Sequence, residues 1–425
     1  MRKSNQKIFL VTIIIIFLGI IFFAGGSFLI QPKIIEINPP LAQISETSLD
    51  KIQDTKEKQN DIELTPELPE ENYQNISSPD ITNFSKNLPG QLVNCIYSIS
   101  NIPSPKGIAF SPDGEEFWVT SLMNKARGVV VFDSKTGKHK KDIVLPGGGG
   151  VEIIFNVDGS RAYVSQMETA RIFEIDTKTK EISRVFNTES NWTKVLALSP
   201  TKNLIYASNW CGNDVSVIDL ESGKLLRNIP TVSTPRGIYI TEDDNTLYVA
   251  GFANGEIQKI NLKTGTSTVL YKSGGAMRHI VSDREKGLLY FSDMGRGKIF
   301  TVNIKNDEVK EFVKTDINPN TIALTPDKKI LIVSNRGSNH PSGQIDIPGP
   351  EWGSILLFDT SNGKMLDALV GGNQPTGLDI SPDGHYFVYS NFLDNNLTMC
   401  EIPSYEKLVA GGGGRSLIYR QELKK

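Results

Sequence analysis

Residues 199–237 read SPTKNLIYASNWCGNDVSVIDLESGKLLRNIPTVSTPRG, and the rest of the chain copies this unit. It holds a short strand and a second strand ending in Tyr206-Ala-Ser-Asn. A third strand (Val215-Ser-Val-Ile-Asp), a Glu-Ser-Gly-Lys turn and a fourth strand running into Thr234-Pro-Arg-Gly complete it. Four short strands joined by tight turns make one propeller blade.

The start of each innermost strand finds the other copies. Pro105-Lys-Gly-Ile, Gly150-Val-Glu-Ile, Thr193-Lys-Val-Leu, Pro235-Arg-Gly-Ile, Met277-Arg-His-Ile, Pro319-Asn-Thr-Ile and Pro375-Thr-Gly-Leu follow at steps of 45, 43, 42, 42, 42 and 56 residues. Seven copies at this period predict an all-β, seven-bladed propeller of four-stranded antiparallel blades. A lone blade cannot bury both faces, so radial stacking must supply the core.

The 425 residues exceed one propeller, and the excess precedes it. Arg2, Lys3 and Lys7 precede an uncharged run over 8–30, long enough to cross a bilayer with a cytoplasmic N-terminus (1–7). A cleaved signal peptide ending near Ala24-Gly25-Gly26 is the alternative. Both readings export the propeller, tethered to the membrane or secreted. Residues 31–90 are rich in Glu, Asp, Lys, Asn, Ser and Pro and read as a disordered acidic stalk. The propeller is then expected over 91–410, with a tail at 411–425.

The second strands read Trp118-Val-Thr-Ser, Tyr163-Val-Ser-Gln, Tyr206-Ala-Ser-Asn, Tyr248-Val-Ala-Gly, Tyr290-Phe-Ser-Asp, Ile332-Val-Ser-Asn and Val388-Tyr-Ser-Asn. Together with the Ser-Pro-Asp-Gly turns, these repeats resemble the YVTN family of β-propellers. The resemblance implies architecture and export to the periplasm or cell surface; the family has no single chemistry, so no activity follows from it.

Closure of the ring is expected from 92–102, which has the spacing of an outermost strand for blade seven. Carrying the blade-three hairpin, where Ile218 faces Leu225, onto the closing pair sets Cys400 opposite Cys95. In an exported protein this suggests a disulfide, with two buried thiols as the alternative. Lys407-Leu-Val-Ala is a rival outer strand. Cys211 is left over and reads as a small buried or semi-buried thiol.

Function is expected at the channel mouth. The residues leading the seven inner strands are Lys106, Val151, Lys194, Arg236, Arg278, Asn320 and Thr376, four cationic and none acidic. Loops add Lys125, Arg127, Arg171, Arg296 and Arg336 against Glu152, Glu168 and Asp293. Such a mouth attracts carboxylate, sulfate or phosphate, and Trp210 and Trp352 are candidates to stack on a ligand. The expected binding set is Lys106, Lys194, Arg236, Arg278, Arg296, Arg336, Trp210 and Trp352. The 14 or so extra residues of blade six, around 337–353, read as a lid.

Neither catalytic nor haem motifs occur, and no cofactor or catalytic residue is expected. Net charge is −3, which argues against nucleic acid. The expected partner is an anionic envelope polymer, such as an acidic glycan, or an extracytoplasmic protein. An enzyme alternative remains: gluconolactonase-type propellers are similar in fold and hold a divalent ion, for which Glu152 and Asn320 would be the ligands here.

Overall fold

The computed structural model describes residues 77–83, 87–122, 128–411 and 414–425. The run at 8–30 and most of the acidic segment lie outside these, as do Lys125 and Arg127. Among the described residues no helix is long and apolar enough to cross a membrane.

Seven antiparallel sheets make the ring, six of four strands and one of five. The blade-three sheet shows the pattern: Thr193–Leu198, Leu204–Asn209, Asp214–Asp219 and Leu225–Pro230 follow one another from the inside outwards. The two middle strands show no alternation and bury both faces, as over 205–209 and 215–218. The outer strand is half polar, in keeping with its place at the edge.

Apolar side chains gather into seven clusters, one at each junction between blades. Phe117, Phe132 and Ile108 of blade one meet Val388, Leu397 and Met399 of blade seven across the closure. Phe173 and Ile175 of blade two meet Trp118 and Val131 of blade one. The core is therefore a ring of interfaces, and no blade carries one alone.

The closing blade runs Asp80–Asn83, Asn94–Ser100, Asn396–Glu401, Tyr386–Asn391, Pro375–Ile380. Asn94–Ser100 closes the ring as expected, with Cys95 opposite Cys400 and a bulge before Tyr97 opposite Met399. Blade three has the same bulge, between Ile218 opposite Leu225 and Val217 opposite Arg227. Cys95 and Cys400 form a disulfide across 305 residues of sequence. Constraining so long a loop in the unfolded chain stabilises the ring by about 6 kcal/mol in the chain-entropy account.

Two expectations are corrected at the ends. The strand Asp80–Asn83 lies within the stretch read as stalk and adds to the closing strand as a fifth member. Residues Tyr405–Gly411 and Arg415–Glu422 form helices, so Lys407-Leu-Val-Ala is no outer strand and the tail is structured. Leu408 and Tyr419 are buried there, and the Arg415 guanidinium bonds to the Ala368 and Pro89 carbonyls and to Glu422. These contacts fasten the C-terminus to blade six and to the chain just before the closing strand.

Candidate functional site

Six of the seven inner strands open on a bulge; that of blade two, Ile153–Phe155, pairs without one. Between the pairs Pro105–Ser121 and Ile108–Val119, both Lys106 and Gly107 face the single residue Thr120. The same two-against-one arrangement sets Lys194 and Val195 opposite Ser208, Arg236 and Gly237 opposite Ala250, and Arg278 and His279 opposite Ser292. Asn320 and Thr321 oppose Ser334, and Thr376 and Gly377 oppose Ser390. A bulge bends its strand and re-aims a side chain. It is how this sequence brings its leading residues to the channel.

The hydroxyl opposite the bulge locks it. Ser208 Oγ accepts the Val195 N–H at 3.1 Å and donates to the Arg236 carbonyl of the next blade at 2.7 Å. Ser292 takes the His279 N–H and donates to the Asn320 carbonyl, and Ser165 donates to the Lys194 carbonyl. In five of the Tyr-Val-Thr-Asn-like strands the Thr or Ser thus joins its own blade to the residue leading its neighbour's inner strand. Blade four has Ala250 there and lacks the joint. Blades come so close at this level that a Cβ on Gly377 would collide with the Lys106 carbonyl oxygen.

The channel holds a cavity of about 450 Å³ lined by Lys106, Arg236, Arg278 and Asn320, with Glu152, His279 and Asp379 among the others. Lys194 and Arg336 stand close enough to act on Lys106 electrostatically. Burial first, and then this mutual repulsion, holds Lys106 and Arg278 well below their usual values. Burial likewise lowers Arg236 and Arg336 to about 10, so both are cationic at neutral pH. Among the described residues no carboxylate lies within ion-pair distance of any of the five.

Aromatic faces and amides stand where counterions would be. Lys194 Nζ lies 5.1 Å from the Trp192 ring centre and 4.6 Å from that of Trp210, and the Arg236 guanidinium is 5.0 Å from Trp210. Lys106 Nζ is 5.6 Å from the Phe392 ring. A ring face steadies a cation without taking its N–H donors. Lys106, Lys194 and Arg236 accordingly donate no side-chain hydrogen bond to any described residue. Trp192 keeps its position at φ 62°, a left-handed backbone that a bulky residue rarely adopts.

Arg278 Nε donates to Asn320 Oδ1 at 2.5 Å. A guanidinium only donates, so this bond fixes the amide: its oxygen faces Arg278 and its NH₂ is turned away. That Nδ2 is buried and has no partner among the described residues. With its oxygen committed to the Arg278 guanidinium, Asn320 does not hold that oxygen out as a metal ligand. Glu152 shares the cavity, where burial pushes its carboxyl up while Arg236, Lys106 and Arg278 pull it down. Among the described residues no cluster of three or more His, Cys, Asp or Glu could hold a metal. The channel's donor set does not fit a divalent ion.

Four residues behave differently from their sequence reading. Trp210 does face the channel cations, but Lys194 and Arg236 lie over its ring, so it props them rather than offering a free stacking surface. Arg296 is exposed and donates to the Ser273 and Gly274 carbonyls. It lines a separate cleft of about 610 Å³ with Trp352, Asp316 and Arg420. The Trp352 face is covered by Lys425 Nζ at 4.5 Å. Cys211 is exposed at the rim, where burial of its neighbourhood pushes the thiol up, which is unhelpful to a nucleophile.

Two channel residues escaped the sequence reading. Burial lowers His279 to about 4, so it is neutral; its Nδ1 accepts the Ile322 N–H at 3.5 Å, which leaves the proton on Nε2. Burial raises Asp379 to about 7, against the Phe110 N–H that bonds its Oδ2 at 2.8 Å. Asp379 had a sequence signal. It occupies a column that is Ala109, Ile154, Ala197, Tyr239, Val281 and Ala323 in the other blades.

The blade-six insertion is a folded structure. Gln374 Nε2 donates to the Ile345 carbonyl while its Oε1 accepts from Arg336, linking insertion and channel. The Trp352 N–H donates to the Leu423 carbonyl, and Lys425 Nζ reaches the Gly349 carbonyl at 2.7 Å.

In sequence, the chain is similar to antigen Lp49 of Leptospira interrogans. The two are 29% identical over 277 residues, 64% of this chain and 60% of Lp49. The chain thus matches less than two thirds of that relative's length. Among solved structures, a chain of Kuenenia stuttgartiensis hydrazine synthase superposes with a TM-score of 0.61 at 18% identity, covering 75% of this chain and 99% of that one. The β-propeller domain of Myceliophteria thermophila Cps50 (Swd1) gives 0.60 at 11% identity, covering 73% and 100%. At these identities both establish the fold alone. No protein-family profile matches the chain.

Proposed function

We propose that this chain is an exported binding module, a YVTN-type propeller, that captures an anionic group in the basic mouth of its central channel. The carrying observation is that Lys106, Lys194 and Arg236 are propped by aromatic rings, with their N–H donors uncommitted among the described residues. Cations gathered with no ion-paired carboxylate among the described residues, at a cost in burial and repulsion, are the arrangement that an incoming anion relieves.

Export is supported by the Cys95–Cys400 disulfide, a bond that persists in oxidising compartments. The basic-flanked run at 8–30 supplies the membrane tether, or a signal peptide, in this reading. The biological ligand is then an acidic envelope glycan or an acidic partner protein.

The test is calorimetric titration of the purified full-length chain with sulfate at low ionic strength. Binding is expected, and replacing Arg236 and Arg278 together by Glu is expected to abolish it. Unchanged binding in that double variant would remove the channel as the site.

A further inference from the structure

The anion site carries more than positive charge. Glu152 sits in the lining of the same cavity as Lys106, Arg236 and Arg278 and feels all three. Yet it forms no ion pair with them among the described residues. A carboxylate that only neutralised the cations would be expected in direct contact with one of them. Held apart, it keeps acceptor oxygens for something else in the channel. Asp379 adds a second carboxyl to the lining.

A neutral donor completes the set: His279, in the same lining, carries its proton on Nε2. Within one cavity of about 450 Å³ the chain thus presents cations for an acid group, acceptors for hydroxyl hydrogens and a donor for a hydroxyl or ring oxygen. A bare dianion such as sulfate uses only the first and is repelled by Glu152. An apolar carboxylate leaves the acceptors and the His279 donor unsatisfied.

We infer that the ligand of this channel is a polyhydroxylated carboxylic acid of monosaccharide size, a sugar acid of the hexuronic class, with Glu152 as the residue that selects for its hydroxyls. The inference rests on the anion-site reading above. The cavity falls within the size range of small-molecule sites. Whether the acid arrives free or as the end of an acidic glycan, the chemistry at the channel is shared.

The experiment titrates the full-length chain with galacturonate, with cyclohexanecarboxylate, which has the same charge and ring size but no hydroxyls, and with sulfate. Galacturonate is expected to bind about tenfold or more tighter than cyclohexanecarboxylate, because a site built for hydroxyls discriminates against their absence. Glu152→Gln, checked for an unchanged thermal melt, is expected to collapse that preference while sulfate binds more tightly. Equal binding of the two carboxylates by the wild-type chain overturns the inference, as does a preference that survives Glu152→Gln. In either case sulfate binding leaves the anion site standing. Failure of all three ligands to bind overturns both. Should Glu152→Gln not fold, the wild-type preference decides alone. Trigalacturonate separates the sources: tighter binding than galacturonate assigns a glycan end, equal binding the free acid, and both support the inference.

Discussion

The same residue types are used in opposite ways at the outer rim of blades one and two and at the channel mouth. At the rim, burial pushes the Glu174 carboxyl up, but Arg184 and Ser183 bond to it and hold it below its usual range. Glu116 is held down in the same way by Trp118, Lys140 and Lys180. Each of these cations has a carboxylate, and the cluster is a structural clasp. At the mouth, five cations have no such partner among the described residues and rest on rings and amides. A basic residue indicates a site when its charge is left unspent, and the number of basic residues says little.

This contrast is best broken by removing charge from each region. Arg236→Leu is expected to cut sulfate affinity by roughly 30- to 100-fold, as the loss of a charge-assisted contact of about 2–3 kcal/mol implies. The same variant should raise the urea midpoint, because it deletes a buried cation that has no ion-pair partner among the described residues. At the rim the sign reverses. Glu174→Gln is expected to leave sulfate binding intact and to destabilise the chain by about 1–3 kcal/mol in urea unfolding. If both variants shift stability in the same direction, the distinction between clasp and site is lost.

The pH dependence sharpens the contrast. Asp379 is raised in the folded chain to about 7, so it stabilises the fold fully below its unfolded value near 4 and loses that contribution as pH rises through 7. Glu174 is lowered, so its contribution is present above its unfolded value and is lost on acidification. Between about pH 4 and 7, Asp379→Asn should therefore flatten a downward slope in the urea midpoint. A slope unchanged by the substitution would mean that Asp379 is not held protonated by its burial.

The smallest expected effect concerns the joint that blade four lacks. Ala250→Ser would supply a hydroxyl to the Gly237 N–H and the Arg278 carbonyl, as Ser208 does one blade earlier. The gain expected is about 0.5–1.5 kcal/mol, a net hydrogen bond, read from the melting temperature. A loss of stability would show that the blade-four junction is packed too tightly for the added atom.

Much of this architecture is legible in the amino-acid sequence. The period implies seven blades, because each must repeat its own turns and its own buried strands. The Cys95–Cys400 pairing can be read from the blade-three hairpin because both outer hairpins have the same bulge. Lys106, Lys194, Arg236 and Arg278 can be placed because they lead the inner strands. What the sequence does not reveal is which way rings and amides turn. It brings Trp210 to the mouth but not Lys194 and Arg236 onto its face, and it pairs Trp352 with the channel when Lys425 covers it. Asp80–Asn83 carries only Ile81 as an apolar residue, too little to distinguish a fifth strand from a linker.

The closing blade has one further consequence, for a molecule under load. The chain enters and leaves the ring in the same sheet, and the covalent bond between Cys95 and Cys400 bridges those two strands. A pull on the N-terminal segment is therefore passed to the last strand through sulfur, bypassing the hydrogen bonds of the ladder. The chain between the cysteines, a sequence separation of 305 or about 0.1 µm when extended, stays out of reach of the force until that bond is reduced. Mechanically, the ring is a closed link in the chain.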